Sequence, residues 1–152
     1  MVHQIKRQQV LNSDIDILWD FISNPYNLKK ITPSYMGFQI LTKDLPSKIY
    51  PGMMIFYKVK PVMGVPIVWT TEITHMKEKY FFVDEQRMGP YTLWHHEHKL
   101  EKKNGSVLMT DIVTYSLPLF WIGSLVNRFY VSKKLKSIFD YRERIMNNLF
   151  NT

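Results

Sequence analysis

Trp94-His95-His96-Glu97-His98-Lys99-Leu100-Glu101-Lys102-Lys103-Asn104-Gly105-Ser106-Val107-Leu108-Met109-Thr110-Asp111-Ile112-Val113-Thr114-Tyr115 is the stretch whose pattern decides the fold. Asn104-Gly105 at its centre suits a two-residue type I′ turn, which needs positive φ at both central residues. With these two as the loop, Lys103 faces Ser106. Stepping back along both strands pairs Leu100 with Met109, His98 with Asp111, His96 with Val113 and Trp94 with Tyr115. One face of the hairpin then carries Trp94, His96, His98, Leu100, Val107, Met109, Asp111, Val113 and Tyr115. The other shows His95, Glu97, Lys99, Glu101, Thr110 and Thr114. Because strand side chains alternate between faces, the first, mostly apolar set points inward.

The same period of two extends upstream. Turn chemistry at Tyr50-Pro51-Gly52, Pro61 through Pro66 and Met88-Gly89-Pro90 separates strands expected at 38–44, 53–60, 67–75, 80–87 and 91–102, with 106–116 closing the run. Short loops between them imply an antiparallel meander. Alternation aims Ile55, Tyr57 and Val59 inward on one strand and Trp69, Thr71 and Ile73 on the next. For 80–87 the loop length at Met88-Gly89-Pro90 leaves the inner face open between Phe82, Asp84, Gln86 and their neighbours.

Residues 2–11 alternate as a further strand. A helix then opens with Ser13 as N-cap and Asp16 three residues on, burying Ile15, Leu18, Trp19 and Ile22 on one face. Asn24-Pro25 starts a second short helix that must stop before Thr32-Pro33. After Pro118 the period returns to 3.6. Leu125, Phe129, Leu135, Ile138, Phe139, Ile145, Met146 and Leu149 form an apolar stripe over about 26 residues. The order of strand, two short helices, six strands and a long amphipathic helix is an α+β plan of about seven strands, with helices gathered on one face.

At 152 residues one domain, 1–152, is expected. The chain has no cysteine, which excludes disulfides, thiolate metal sites and cysteine nucleophiles and suits a cytoplasmic setting. The N-terminal residues lack the apolar stretch of a secretory signal. The longest apolar run, Leu117 to Val126, is well short of the roughly 20 residues a spanning helix needs. The formal charge is +7, and +4 of it falls between Leu125 and Phe150. No nucleic-acid motif or interleaved aromatic platform accompanies that basic helix, so nucleic-acid binding is not expected. Leu117-Pro118-Leu119-Phe120-Trp121-Ile122 before it allows peripheral membrane contact, against the favoured reading of a buried crossover loop and a solvated helix face. There is no Gly-rich phosphate loop, His-Glu-x-x-His helix or G-x-S-x-G elbow, and no cofactor is expected.

The inward face contains two histidines and one aspartate among apolar groups, with Asp111 across from His98 and diagonal to His96. Such a carboxylate is held ionised by imidazole and favours imidazolium in return. One reading is a satisfied ion pair that the fold happens to bury. The sharper one makes His96, His98 and Asp111 the polar fixture of a greasy pocket, orienting a ligand carbonyl or hydroxyl, with Tyr57, Trp69, Trp94 and Tyr115 as ligand contacts or simple core. His95, His96 and His98 resemble a metal cluster by count only, since His95 faces away.

The segments Asp84-Glu85-Gln86-Arg87-Met88-Gly89-Pro90-Tyr91, Trp94-His95-His96-Glu97-His98, Thr110-Asp111-Ile112-Val113-Thr114-Tyr115 and Leu135 to Arg142 resemble the ligand-binding SRPBCC proteins of the START/Bet v 1-like superfamily, in the polyketide cyclase/dehydrase-like branch. Leu18-Trp19-Asp20-Phe21-Ile22, Asn24-Pro25 and Thr32-Pro33 resemble it too. The resemblance implies a helix-grip fold with a hydrophobic cavity between a curved sheet and the C-terminal helix. It implies no reaction. Binding of a small hydrophobic molecule is the leading expectation, and a cyclase or dehydratase using a His/Asp acid-base pair is the alternative.

Overall fold

The computed structural model describes residues 1–62, 64–118 and 127–151. Its strands are β1 (Val2–Leu11), β2 (Gln39–Ile40), β3 (Met54–Val62), β4 (Val65–Lys77), β5 (Phe81–Met88), β6 (Leu93–Lys103) and β7 (Ser106–Ser116). They form one antiparallel sheet in the order β1-β7-β6-β5-β4-β3-β2. Helix α1 (Ile15–Ile22) and 3₁₀ turns at Pro25–Lys29 and Ser34–Met36 link β1 to β2, and a π-helical turn at Asn127–Val131 leads into α2 (Ser132–Phe150).

The β6–β7 register is the one expected, from Lys103 opposite Ser106 through His98 opposite Asp111 to Trp94 opposite Tyr115. The turn that closes it differs. Gly105 is left-handed (φ 83°) but Asn104 is not, so the loop is not of type I′. One positive φ, at the residue with no Cβ, suffices here.

Four other expectations are corrected. The N-cap of α1 is Asp14, not Ser13: the Asp14 carboxylate accepts from the Asp16 N–H at 2.8 Å, while the Asp16 side chain is drawn away to Lys79. The strand expected at 38–44 is paired only at Gln39–Ile40. Leu41 and Thr42 both donate to the Phe56 carbonyl, and Asp44 turns the chain away with φ 51°. Pro61 and Pro66 lie inside β3 and β4 rather than in a loop. The register shifts between Val59 and Val62, and such a bulge tolerates residues without an N–H. Phe129 is exposed, because the π-helical turn interrupts the 3.6 period ahead of α2, and Leu149 is exposed at the other end. Leu125, and residues 119–126 with their proposed membrane contact, lie outside the described residues.

Helix α2 buries Leu135, Phe139 and Met146 against the sheet, with Ile138 and Ile145 half-buried. Polar bonds fasten it along β1. Gln9 Nε2 donates to the Glu143 carbonyl at 2.8 Å, Asn151 Nδ2 to the Val10 carbonyl at 3.1 Å, and Arg7 pairs with Asp140 at 2.7 Å. Among the described residues, no helix is long and apolar enough to cross a membrane.

Candidate functional site

A cavity of about 240 Å³ lies between the sheet, α2 and the segment after α1. All six residues that alternation aimed inward on β3 and β4, Ile55, Tyr57, Val59, Trp69, Thr71 and Ile73, line it. One wall is aromatic. Trp69 stacks on Tyr57 with ring centroids 6.2 Å apart and meets Trp94 edge-on at 5.2 Å, and Tyr91 packs on Trp94 at 4.8 Å. Tyr57 shares a 2.7 Å hydrogen bond with Thr71, and burial pushes the phenols of Tyr57 and Tyr91 up, so both stay protonated.

Tyr91 is placed by a clamp. The Gln86 amide donates to the Tyr91 carbonyl at 2.7 Å and accepts from its N–H at 3.2 Å. This amide passes so close to Gly89 that a Cβ there would collide with Gln86 Oε1. The Met88-Gly89-Pro90 turn is thus shaped to present an aromatic ring to the cavity.

The polar fixture is larger than expected. The β5–β6 register sets Asp84 opposite His96 and Phe82 opposite His98, which resolves the inner face of β5. His98 Nε2 lies 2.7 Å from Asp84 Oδ2 and its Nδ1 3.0 Å from Asp111 Oδ1. His96 Nε2 lies 2.9 Å from the same Asp111 oxygen, and its Nδ1 is 3.4 Å from Asp84 Oδ2. Arg142 on α2 reaches Asp111 with Nη1 at 3.5 Å. Phe82 stacks on His98 at 4.1 Å, and the two imidazoles lie 3.7 Å apart.

Burial disfavours every charge here, yet the charges sustain one another. Burial works to raise the Asp111 carboxyl, but hydrogen bonds from His96 and His98 and the charges of His98 and Arg142 hold it well below the usual carboxylate range. Asp84 is likewise lowered by His96, His98 and Arg142 against the effect of burial. His98 is raised: burial opposes its charge, but hydrogen bonds to Asp111 and Asp84 prevail. His96 is lowered by burial and by the charge of His98. The consistent state has two carboxylates, an imidazolium at His98, the Arg142 guanidinium and a neutral His96, which sums to zero.

Tyr57, Trp69, Trp94, His96 and His98 all line the cavity. Asp111 and Tyr115 do not. Asp111 sits behind the histidines, and Tyr115, fully buried, backs Trp94 and Tyr91. Sequence reasoning missed Arg142 and Tyr91 and left Asp84 undecided; all three line it. Two of these had a signal: Asp84 alternates with Phe82, and Arg142 follows Leu135 by seven residues and precedes Met146 by four, on the inward stripe of α2. Asp84, His96 and His98 also offer three atoms within 4.8 Å of one another, enough for a metal ion by count. Those same atoms are already engaged with one another, His98 Nε2 at 2.7 Å and His96 Nδ1 at 3.4 Å from Asp84 Oδ2.

The architecture is the helix-grip fold of START/Bet v 1-like, or SRPBCC, proteins. Among solved structures, protein CV1439 from Chromobacterium violaceum superposes with a TM-score of 0.72 at 12% identity, covering 99% of both chains. The major latex-like protein 151 of Panax ginseng gives 0.70 at 13% identity, covering 98% of this chain and 97% of the other. Protein Ms6760 from Mycobacterium smegmatis gives 0.66 at 16% identity over 96% of this chain and 92% of the other. At such identities the likeness is one of fold. No protein-family model matches the chain, and no curated protein matches it significantly.

Proposed function

We propose that residues 1–152 act as one START-like domain that binds a small hydrophobic ligand between sheet and terminal helix, in the cytoplasmic setting that a cysteine-free chain suits. The observation that carries this reading is the 240 Å³ space and its apolar, largely aromatic wall. A dry void of about 150 Å³ accepts benzene, so this one suits a molecule of one to two rings. Tyr57, Trp69, Trp94, His96 and His98 contact the ligand, while Asp111 and Tyr115 hold that wall from behind. The indole N–H of Trp69 is buried without a partner among the described residues, and an acceptor on the ligand satisfies it.

Native mass spectrometry of freshly purified protein tests the reading. A retained small molecule is expected, and Ile55→Trp, which fills the cavity, is expected to lose it. If the wild-type protein retains nothing and no apolar compound raises its melting temperature, ligand binding is the wrong function.

One observation favours a second reading. His96 is neutral, lines the cavity and bonds Asp111, the arrangement of a general base in a cyclase or dehydratase. Turnover of a polyketide-like substrate with a bell-shaped pH profile, lost in His96→Gln, is the result that reading requires.

A further inference from the structure

Among the described residues, Arg142 is a charged group of the interior left with an unpaired donor. Its side chain is 11% exposed, and its bond to Asp111, at 3.5 Å, is at the limit of a hydrogen bond. The reason is competition, since the same Asp111 oxygen already takes His96 at 2.9 Å and His98 at 3.0 Å. Arg142 Nε is fully buried and has no partner among the described residues. A guanidinium has five N–H donors and cannot shed its proton, so leaving one unpaired in an apolar cavity costs more than leaving a neutral group unpaired.

The surroundings indicate what completes it. Arg142 lines the cavity together with Leu135, Ile138, Phe139 and Met146 of the same helix, which offer no hydrogen-bond acceptor, only the Phe139 ring face 5.2 Å from the guanidinium carbon. The other charged residue of α2 on that wall is also a cation: Lys134, two turns earlier, whose ammonium lies 3.8 Å from the ring of the exposed Tyr35. Arg142 is balanced within the polar set, so Lys134, about 12 Å away along the axis, leaves the cavity lining one positive charge in excess, which favours an anion over a neutral molecule.

We infer that the cavity ligand is an apolar carboxylic acid, its carboxylate gripped by the Arg142 guanidinium and its ring system lying against the aromatic wall. The planar fork of arginine matches a carboxylate and makes two parallel bonds to it. The titratable groups against His96 are Asp84 on β5, His98 on β6 and Asp111 on β7, and Arg142 on α2 reaches the same Asp111 oxygen. An arriving anion leaves this set one negative charge in excess, and His96 Nδ1, beside Asp84, is where a proton restores the balance. The inference rests on the ligand-binding reading above and narrows it to a class.

The test compares two probes of one shape, naphthoate and naphthamide, by titration calorimetry on the intact protein at about pH 6, close to the ordinary titration range of histidine. Naphthoate is expected to bind about tenfold tighter, the difference between a charge-assisted pair of bonds and a neutral one. Arg142→Gln is expected to bring the ratio towards one, and Arg142→Lys, which keeps the charge but not the fork, to leave it in between. Circular dichroism checks that each variant is folded. The wild-type ratio decides the matter even where a variant does not fold. Equal affinities in the wild type, as when a buried water already satisfies Nε, overturn the carboxylate inference and leave ligand binding standing. A preference that survives Arg142→Gln overturns it too. Binding of neither probe, with no other apolar compound bound, removes both.

Discussion

His98 and Asp84 meet at 2.7 Å across the seam between β6 and β5, joining the third strand to the pair that the central hairpin aligns. Asp84→Ala leaves the His98 imidazolium with one partner, Asp111, in a largely buried site. Breaking a buried pair from one side costs about 3–5 kcal/mol. Urea denaturation is expected to show a loss of that order. Asp84→Asn, which keeps the shape and one acceptor, should lose less.

The folded-state pKa of His98 is raised, so its contribution to stability is full below the unfolded value of about 6.5 and fades as pH rises through the folded value. Asp84 and Asp111 are lowered, so theirs is present above about 3.9 and is lost as pH falls further. His96, lowered, opposes His98: below about 6.5 the unfolded chain takes a proton there that the folded one refuses. In ligand-free protein, His98→Gln is therefore expected to abolish the alkaline decline. His96→Gln should flatten the loss that sets in as pH falls below about 6.5, read from unfolding free energies across pH.

Asp140 on the outer face of α2 provides the contrast. Its carboxyl is also lowered, chiefly by a hydrogen bond from Lys136, but it stands in solvent. Exposed pairs contribute about 0–1 kcal/mol. Asp140→Asn should shift the urea midpoint barely, and salt should erase what shift there is.

Gln86→Ala removes both bonds that hold the Tyr91 backbone. The expected cost is about 1–3 kcal/mol, together with weaker binding of aromatic probes because one ring of the wall is no longer fixed. Hydrogen exchange at the Tyr91 amide, faster in the variant, checks the cause.

The centre of the fold was legible because alternation and one Gly-containing turn determine a register, and a register determines faces. His98 opposite Asp111 followed from counting residues. Asp84 did not, because its strand ends in the Met88-Gly89-Pro90 turn, whose geometry depends on a side-chain clamp from Gln86 that no local propensity encodes. Arg142 was concealed differently. Its position falls on the inward stripe of α2, yet a charged residue there reads as surface until its partners on β7 are known. Phe129 failed for the converse reason: an apolar residue in step with the stripe is carried off it by a π-helical turn.

Trp69 and Trp94 stand nearly perpendicular, 87° apart in plane, on the wall of the cavity. Two indoles this close are expected to couple their strong ultraviolet transitions and give the protein a dichroic signature of its own. A guest lying against them perturbs that coupling. Under the proposed function, dichroism is therefore expected to report occupancy without a label, and compound collections can be screened in plain buffer.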